Sequence, residues 1–452
     1  MKKSISVMLI LCFSAAICLS LSACGAGKTG GDSAVVFLNG DADLAAGYQE
    51  IAEEYEKEKG VKVTVINADR QNYTETLKTE LKKSNAPTLF TLDNYRDYTE
   101  VKEYCADLKN GKLYASLYDK TFAIKDGMDV RAIPYRVTGY GILYNQEITD
   151  RYFALPDKKS PLSSMEEIKN HEQLKTVVED MSKHLSELKI KGVFASTSLA
   201  SGEEERFSTH LLGIPLSMEA MEKDGDAREN LAGMDSFSFR YGDQYRDTFD
   251  LYTKNSVTDG RSAAQKTNAD AAEEFAAGQA AMMQGTSRQW EQIRGANGAT
   301  IQKEKVKFLP IYTGIEGEEK RGLAIGADGY LAINIKASDP AQKNAADFAE
   351  WLFTSENGKK AVSKTMTAAM PFNTFAEEDL PDNPLIRETA RFLKNSAENV
   401  MMAFDRVFPD AEYYQKVADG LRGYASGEKS WDEVKSSVTS NWKKADYQKK
   451  TS

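Results

Sequence analysis

The amino-acid sequence predicts an α/β fold in which the strands of each sheet run mostly parallel. Short β-rich runs alternate with helical patterns over residues 34–93, and this alternation is typical of parallel sheets flanked by helices. The chain has 452 residues, more than one hydrophobic core usually holds, which favours two lobes. Beyond residue 24 the only cysteine is Cys105. That part of the chain therefore contains no internal disulfide, and a hydrophobic core has to hold it together.

Each element of this alternation has its own signal. Residues 34–41, "AVVFLNGD", are β-rich and end at Asn-Gly, which predicts a buried strand. Residues 42–60 place apolar side chains at helical spacing and end at a glycine, as helices commonly do. The same reasoning predicts a strand over 61–67, a helix over 73–85 and a strand over 86–93.

The remainder of the chain mixes helical patterns with further strands. Residues 130–148, "VRAIPYRVTGYGILYNQEI", are aromatic-rich and extended. Residues 268–295 predict a helix, a strand over "AAMMQG" and the start of a second helix. Further strands are expected at 191–197, 306–312 and 329–337, and an amphipathic helix with a polar break is expected over 341–364.

The N-terminal segment has the features of a bacterial lipoprotein signal. Residues 1–23 combine two lysines with a long uncharged apolar run and small residues at its end, as signal-peptide cleavage requires. "LSAC" resembles the lipobox at which such proteins are cut and acylated. We therefore expect a signal peptide over 1–23, lipidation at Cys24 and a flexible tether over 24–33. The alternatives are an ordinary signal peptide and a single anchoring helix.

The same segment contains a pattern close to a phosphate-binding loop. In "GAGKTGG", however, the motif G-x-x-x-x-G-K-[ST] requires a glycine where the sequence has Ser22. The residues that follow show no helical periodicity, although such a loop opens a helix. The sequence therefore argues against an ATPase.

Charge and composition exclude several other classes of function. The formal net charge is −10, which argues against binding to nucleic acid and against electrostatic binding to a membrane. The three histidines, at 171, 184 and 210, have no paired spacing, so we expect no metal site and no cofactor. Paired carboxylates can hydrolyse glycosides, but no motif for a catalytic nucleophile occurs, and we do not expect an enzyme.

Polar side chains follow each of the first three predicted strands. Asp41, Arg70 and Asp93 occupy these positions, and ligands of α/β sheets bind beyond the carboxyl ends of the strands. Ser196 lies at the end of the strand predicted at 191–197. A helix cap or a turn is the alternative role for the aspartates.

Three sequence blocks, in order, resemble a known family. They are "PYRVTGYGILYN", "FAAGQAAMMQG" followed by a tryptophan, and "GYLAINIKASDPAQKNAADFAEWLFTSENGKKAV". Together they resemble the extracellular solute-binding proteins of ABC importers, specifically the carbohydrate-binding group that includes maltose-binding protein. The resemblance implies a two-lobed periplasmic-binding-protein fold with a hinge and an interlobe cleft. On this basis we expect one lobe over 34–138 plus 300–335 and the other over 139–299 plus 336–452.

The resemblance also adds candidate ligand residues. Thr138 stands where the family usually has an acid, and Trp290 lies one residue further from its block than the family's stacking tryptophan. Acids and amides bond sugar hydroxyls, and aromatic rings cover the apolar faces of a sugar. The complete predicted substrate site is Asp41, Arg70, Asp93, Thr138, Tyr140, Ser196, Trp290, Asp328 and Tyr414.

The function that the resemblance implies is capture without chemistry. We expect a monomer that binds a carbohydrate, an oligosaccharide in particular, and delivers it to the ABC permease. We further expect the lipid on Cys24 to hold it on the outer face of the cytoplasmic membrane, at the surface of a Gram-positive bacterium. The alternatives are the same fold binding a peptide, a polyamine or another small polar solute, a surface enzyme acting on glycosides, and a purely structural lipoprotein.

Overall fold

A computed structural model describes residues 34–395 and 411–442. The predicted signal peptide, lipidation site and tether lie outside these residues. The strands are β1 (Val35–Asn39), β2 (Val63–Asn67), β3 (Leu89–Leu92), β4 (Ile124–Asp126), β5 (Asp129–Pro134), β6 (Val137–Asn145), β7 (Gly192–Phe194), β8 (Ala280–Thr286), β9 (Val306–Leu309), β10 (Ala324–Ala327) and β11 (Tyr330–Ile333).

The α-helices occupy most of the sequence between these strands. They are α1 (Ala45–Lys59), α2 (Tyr73–Glu80), α3 (Tyr95–Val101), α4 (Lys112–Ser116), α5 (Gln146–Phe153), α6 (His171–Met181), α7 (Leu185–Leu188), α8 (Leu212–Ala220), α9 (Ala227–Ala232), α10 (Gly242–Lys254), α11 (Gly260–Ala263), α12 (Asn268–Ala276), α13 (Trp290–Arg294), α14 (Asp339–Thr354), α15 (Glu356–Thr365), α16 (Pro384–Asn395), α17 (Ala411–Ser426) and α18 (Trp431–Ser440). A π-helical turn over Arg206–Leu211 leads directly into α8.

The first lobe is built on a six-stranded sheet with the order β2-β1-β3-β11-β5-β4. β1 pairs in parallel with both β2 and β3, as the alternation of strands and helices predicts. β11 lies antiparallel between β3 and β5. Four strands of this sheet therefore run in one direction, and β4 and β11 run in the other.

The second lobe is built on a five-stranded sheet centred on β6. β8 lies along one side of β6, while β10 and β9 share the other side, one after the other. All three pair antiparallel with β6, and β7 adds in parallel to β8. Thus β7, β8, β9 and β10 run one way and β6 alone runs the other.

The reversed strands β6 and β11 are those that enter a lobe from the other one. β6 follows β5 across the gap between the lobes, and β11 follows β10 back again. A strand that has just crossed runs away from the gap, whereas the strands that precede a cleft loop run towards it. This chain path accounts for β6 and β11, whereas β4 is reversed because it pairs antiparallel with β5, the next strand in the chain. Only β1–β2, β1–β3 and β7–β8 pair in parallel, so both sheets are mixed and not mostly parallel as predicted.

The sequence predicts the early elements closely. β1, β2, β3 and the helices between them lie within the predicted ranges. α1 ends at Gly60, which has a φ of 69° and donates its N–H to the carbonyl of Glu56, the helix stop that the glycine indicates. The amphipathic helix predicted over 341–364 is present as α14 and α15, which meet at Ser355.

The lobe boundaries require a correction. Residues 306–327 were expected in the first lobe, but β9 and β10 pair with β6 of the second sheet. Residues 339–365 were expected in the second lobe, but α14 packs on β1 and β11, and α15 packs on α1. In that core Phe348 and Trp351 surround Tyr55 at ring distances of 4.9 and 5.2 Å. Helical periodicity shows which face of a helix is buried but not which sheet buries it.

Candidate functional site

The ends of β1, β2 and β3 bring their polar side chains to one edge of the first sheet. The side-chain amide of Asn39, the last residue of β1, donates to the side-chain oxygen of Asn67 at the end of β2, at 2.9 Å. Arg70 and Asp93 form an ion pair at 3.6 Å. The first-lobe candidates predicted from strand ends therefore lie together at this edge, as the parallel order of the strands requires.

The chain crosses between the lobes in three segments that lie side by side. They are the link from β5 to β6, the link from β10 to β11 and the segment from α15 to α16. The N–H of Asp328 donates to the carbonyl of Arg136 at 3.0 Å. The N–H of Val137 donates to the carbonyl of Ala369 at 2.8 Å. These bonds join the three segments into one hinge.

Arg136 occupies the centre of this hinge. Its Nη1 donates to the carboxylate of Asp41 at 2.6 Å. Its Nε donates to the carbonyl oxygen of Asp328 and lies 3.9 Å from the carboxylate of the same residue. That carboxylate also accepts from the hydroxyl of Thr138 at 3.3 Å and pairs with Arg288. Two predicted ligand residues, Asp41 and Asp328, are thus partners of one buried arginine, and a third, Thr138, bonds the carboxylate of Asp328.

Burial and charge act in opposite directions on this cluster. Burial by itself raises the pKa of Asp41, but the hydrogen bond and the charge of Arg136 more than offset it, and the pKa lies below its usual value. Burial likewise disfavours the charge on Arg136, yet Tyr135 and Asp41 around it hold its pKa above the usual value. Asp41 and Arg136 therefore remain ionised, and each depends on the other.

The second lobe contributes Tyr140 and Ser196 in different settings. Tyr140, in β6, is buried against the ring of His210 at 4.6 Å in an edge-on arrangement. Ser196 is buried, and its hydroxyl donates to the carboxylate of Glu274 at 2.8 Å. The ammonium group of Lys266 pairs with the same carboxylate at 3.1 Å. The hydroxyl of Ser196 is therefore already engaged within its own lobe.

The two predicted aromatic ligands pack within the second lobe. Trp290 is only 5% exposed and belongs to a core cluster with Leu143, Phe275 and Ile293. Tyr414 is half-buried on α17, with its ring 5.6 Å from that of Tyr413. Both residues therefore pack against other side chains of the second lobe.

The two lobes also meet through Arg228, a residue that the sequence did not single out. Arg228, on α9 of the second lobe, is 2% exposed. It donates to the carbonyls of Phe122 and Ala123 at 2.9 and 2.7 Å, and to the hydroxyl of Tyr330 at 3.1 Å. Phe122 and Ala123 directly precede β4, and Tyr330 begins β11, both strands of the first lobe. The structure therefore has its two lobes in direct contact at one side of the cleft.

Other residues at the cleft were also missed by sequence reasoning. Arg136 lies inside the quoted block "PYRVTG", and Arg288 lies in "GTSRQW". Arg206 follows three glutamates at the start of the turn before α8. The sequence feature that could have pointed to these residues is a single arginine next to a predicted strand end or lobe crossing. This feature separates structural from ligand-binding arginines only when the partner of each arginine is known.

The described residues contain no group of His, Cys, Asp and Glu side chains arranged to hold a metal ion. Among the same residues, no helix is both long and apolar enough to cross a membrane. The site is therefore assembled from carboxylates, amides, hydroxyls, guanidinium groups and tyrosine rings. Two α/β lobes with such groups at facing sheet edges define a ligand-binding class of protein.

The comparison with protein families identifies the class further. Residues 50–388 match the model of the bacterial extracellular solute-binding proteins. The chain belongs to this family, and the resemblance of the three sequence blocks to extracellular solute-binding proteins is confirmed. A comparison with curated proteins gives no match.

Solved structures share the fold at low sequence identity. A family 1 extracellular solute-binding protein from Bifidobacterium longum subsp. infantis matches with a TM-score of 0.65 and 15% identity, over 91% of this chain and 99% of that one. Apo RafE from Streptococcus pneumoniae matches with a TM-score of 0.63 and 14% identity, over 91% and 98%. The solute receptor AcbH, described as having an exclusive preference for β-D-galactopyranose, matches with 0.64 and 12%, over 91% and 98%.

Proposed function

We propose that this protein captures a carbohydrate outside the cell and delivers it to the membrane permease of an ABC importer. The observation that carries the proposal is the convergence of polar groups from both lobes on the hinge. Asp41 and Asp93 come from the first lobe, and Thr138 and Arg288 come from the second. Among related folds, RafE is known in complex with raffinose and AcbH prefers a galactopyranose.

The mixture of charges at the cleft favours a sugar over the alternative solutes. Carboxylates lie beside arginines, as in the pairs Arg70–Asp93 and Arg136–Asp41. A polyamine site would require a clear excess of carboxylates, because each ammonium group needs an anionic partner. Paired donors and acceptors at close range suit vicinal hydroxyl groups, which donate and accept at once.

Tyr95 is the aromatic residue best placed to cover a sugar face. It begins α3, two residues after Asp93, and its ring lies 5.6 Å from that of Tyr98. Burial raises its pKa to about 12, with added contributions from Glu229 and Asp226 of the second lobe. Tyr95 is itself only 9% exposed, but it lies two residues after Asp93, at the cleft edge of the first sheet. We therefore prefer Tyr95 to Trp290 and Tyr414 as the stacking residue.

Capture proceeds by closure of the lobes around the hinge. A solute that bridges both lobes favours the closed state by its difference in affinity for the two states. The bonds from Arg228 to the first lobe are available only when the lobes meet. The closed form is the one that the permease would recognise, and no chemical step takes place.

The lipid anchor is a further part of this proposal. The lipobox at Cys24 lies outside the described residues, and its support is the sequence alone. A diacylglyceryl group supplies two acyl chains, and two chains anchor stably where one does not. Anchoring a monomer on the outer face of the cytoplasmic membrane, as at a Gram-positive surface, raises its effective concentration at the permease.

Thermal melting against a ligand panel tests the proposal. The panel contains mono- and oligosaccharides, polyols, peptides and polyamines. A solute at 100 times its dissociation constant adds about 2.7 kcal/mol to the free energy of unfolding. A rise in melting temperature with one class of sugar is expected. A rise with a peptide or polyamine alone would agree with a solute-binding fold but would exclude a carbohydrate as the solute.

A matched pair of variants locates the site. Asp93→Asn removes a carboxylate that is paired with Arg70 at the cleft edge of the first sheet. Asp129→Asn removes one that is paired with Arg131 at the opposite edge of that sheet. We expect the first variant to weaken sugar binding and the second to leave it unchanged. Equal effects of both variants would place the ligand elsewhere.

A further inference from the structure

Arg206 lies at the cleft-facing edge of the second lobe. Its carbonyl oxygen accepts a hydrogen bond from the side-chain amide of Gln284, two residues before the end of β8. One turn further along the same helical segment, His210 contacts Tyr140, which pairs with Thr286 at the end of β8. Because the carboxyl end of β8 and the start of β6 both face the hinge, Arg206 lies on the cleft side of its lobe.

Two nitrogen atoms of the Arg206 guanidinium group are buried without a hydrogen-bond partner among the residues that the structure describes. The residue is 3% exposed, and neither Nε nor Nη2 finds a hydrogen-bond acceptor there. A buried guanidinium usually has every N–H satisfied, because an unmade hydrogen bond to a charged group is costly. Burial lowers the pKa of Arg206 to about 10, so it remains a cation at neutral pH.

The charges of Glu203 and Glu205 favour the cationic form of Arg206, but no neighbouring glutamate accepts a hydrogen bond from Nε or Nη2. Glu203 accepts from the N–H of Asn268 at 2.9 Å. Glu204 pairs with Arg422 and accepts from the N–H of Gly202. The side chain of Glu205 is 67% exposed and lies 3.6 Å from the ring of His210.

A second unsatisfied group lies beside the arginine. The Nε2 of Gln284 donates to Arg206, which leaves the Oε1 of the same amide as a buried acceptor without a donor in the described part of the chain. The two residues together present two guanidinium donors and one amide acceptor. A carboxylate can accept hydrogen bonds from the guanidinium N–H groups, and a hydroxyl can donate one to the amide oxygen.

We infer that the solute is an acidic sugar, whose carboxylate is bound by Arg206 while an adjacent hydroxyl donates to Gln284. A uronic acid residue, free or in an oligosaccharide, has both groups on neighbouring carbons. This inference rests on the proposed function and narrows its substrate class. The arginine is left unpaired in the free protein because the solute supplies its partner.

Calorimetric titration of the full chain with matched sugars tests the inference. Galacturonate is compared with galactose, glucuronate with glucose, and succinate serves as an acid without a sugar ring. A charge-assisted pair contributes about 1.5–3 kcal/mol, so the uronates are expected to bind about tenfold to a hundredfold more tightly than the neutral sugars. Arg206→Met should bring this ratio close to one, and Arg206→Lys should give an intermediate ratio, because lysine keeps the charge but not the planar fork.

Arg240→Met is the matched control, since Arg240 belongs to the same lobe but has a side chain that is 54% exposed and pairs with Glu222. It should leave the ratio unchanged. Neutral sugars that bind as tightly as uronates, or a ratio that survives Arg206→Met, would overturn the acidic-sugar inference and keep the proposed function. Binding of succinate alone would overturn both. Binding of none of the panel would overturn the acidic-sugar inference, and the wider sugar panel of the melting experiment would then decide the proposed function. If Arg206→Met fails to fold, the ratio in Arg206→Lys decides the question.

Discussion

Arg136 and Arg206 both lie at the cleft and both are almost fully buried, at 6% and 3% exposure, but their surroundings differ. Arg136 lies between the carboxylates of Asp41 and Asp328 and joins two crossings of the hinge. Arg206 has no acceptor for two of its nitrogen atoms among the described residues. The protein itself supplies the anionic partners of Arg136, whereas Arg206 can accept an anionic partner from the solute.

This difference separates structural from ligand-binding charges. A buried cation with anionic partners stabilises the arrangement of the segments that carry them, and its removal leaves those anions uncompensated. A buried cation without a partner costs free energy in the unliganded state and regains it when an anion binds. The two substitutions should therefore have effects of opposite sign on stability.

The largest effect is expected for Arg136→Met. It leaves the carboxylates of Asp41 and Asp328 buried without their main partner, and loss of one member of a buried ion pair costs about 3–5 kcal/mol. Urea unfolding followed by circular dichroism measures the loss. Arg240→Met, at an exposed position, is the control and should change stability far less, because exposed ion pairs contribute little. A loss no greater than the control's would remove Arg136 from the centre of the hinge.

The next effect is expected for Arg228→Met. The substitution leaves the buried carbonyls of Phe122 and Ala123 without their donor, and each unsatisfied buried group costs about 1–3 kcal/mol. Because these bonds join the two lobes, the closed state should lose more stability than either lobe alone. Small-angle scattering of the unliganded variant should show a larger radius of gyration than that of the wild type. An unchanged radius would mean that this contact does not hold the lobes together.

A smaller effect of opposite sign is expected for Arg206→Met without ligand. The substitution removes an unpaired charge and keeps an apolar side chain of similar length, so stability should stay the same or rise by about 1 kcal/mol. The same urea titration measures it. A loss of about 2 kcal/mol or more would show that the arginine already has a partner in the free chain.

The smallest effect concerns the pH dependence of stability. The pKa of Asp41 in the folded state lies below its usual value because the bond and charge of Arg136 outweigh the effect of burial. Its contribution to stability is therefore complete above the unfolded-state pKa of about 3.9 and is lost as the pH falls through the lower folded value. Asp41→Asn should reduce the slope of stability against pH below about pH 4. An unchanged slope would exclude the carboxylate of Asp41 as a source of acid sensitivity.

The sequence predicted those parts of the site that depend on local order along the chain. Asp41, Arg70 and Asp93 follow β-rich runs that alternate with helices, and parallel strands bring such positions to one edge. The pairing of Arg136 with Asp41 joins residues 95 positions apart, and its bond to Asp328 spans 192 positions. No periodicity within a single helix or strand contains information about these partners.

Trp290 and α14 show the same limit in the core. The tryptophan was placed by its spacing from a family block, yet its ring lies with Leu143 and Phe275 inside the second lobe. α14 has the predicted apolar face, but that face packs on the first sheet. In both cases the sequence indicates that a surface is buried without indicating what buries it.

By itself, the sequence determined the family, the α/β class, the early strands and helices, and the polar residues that end them. The tertiary structure decided which strands reverse at the crossings, which sheet each late helix joins, and which buried arginine has a partner. The physical reason is the separation along the chain between the residues that interact. Helix and strand patterns arise from neighbours within a few turns, whereas the partner of a buried charge is chosen by packing between segments that are distant in the chain.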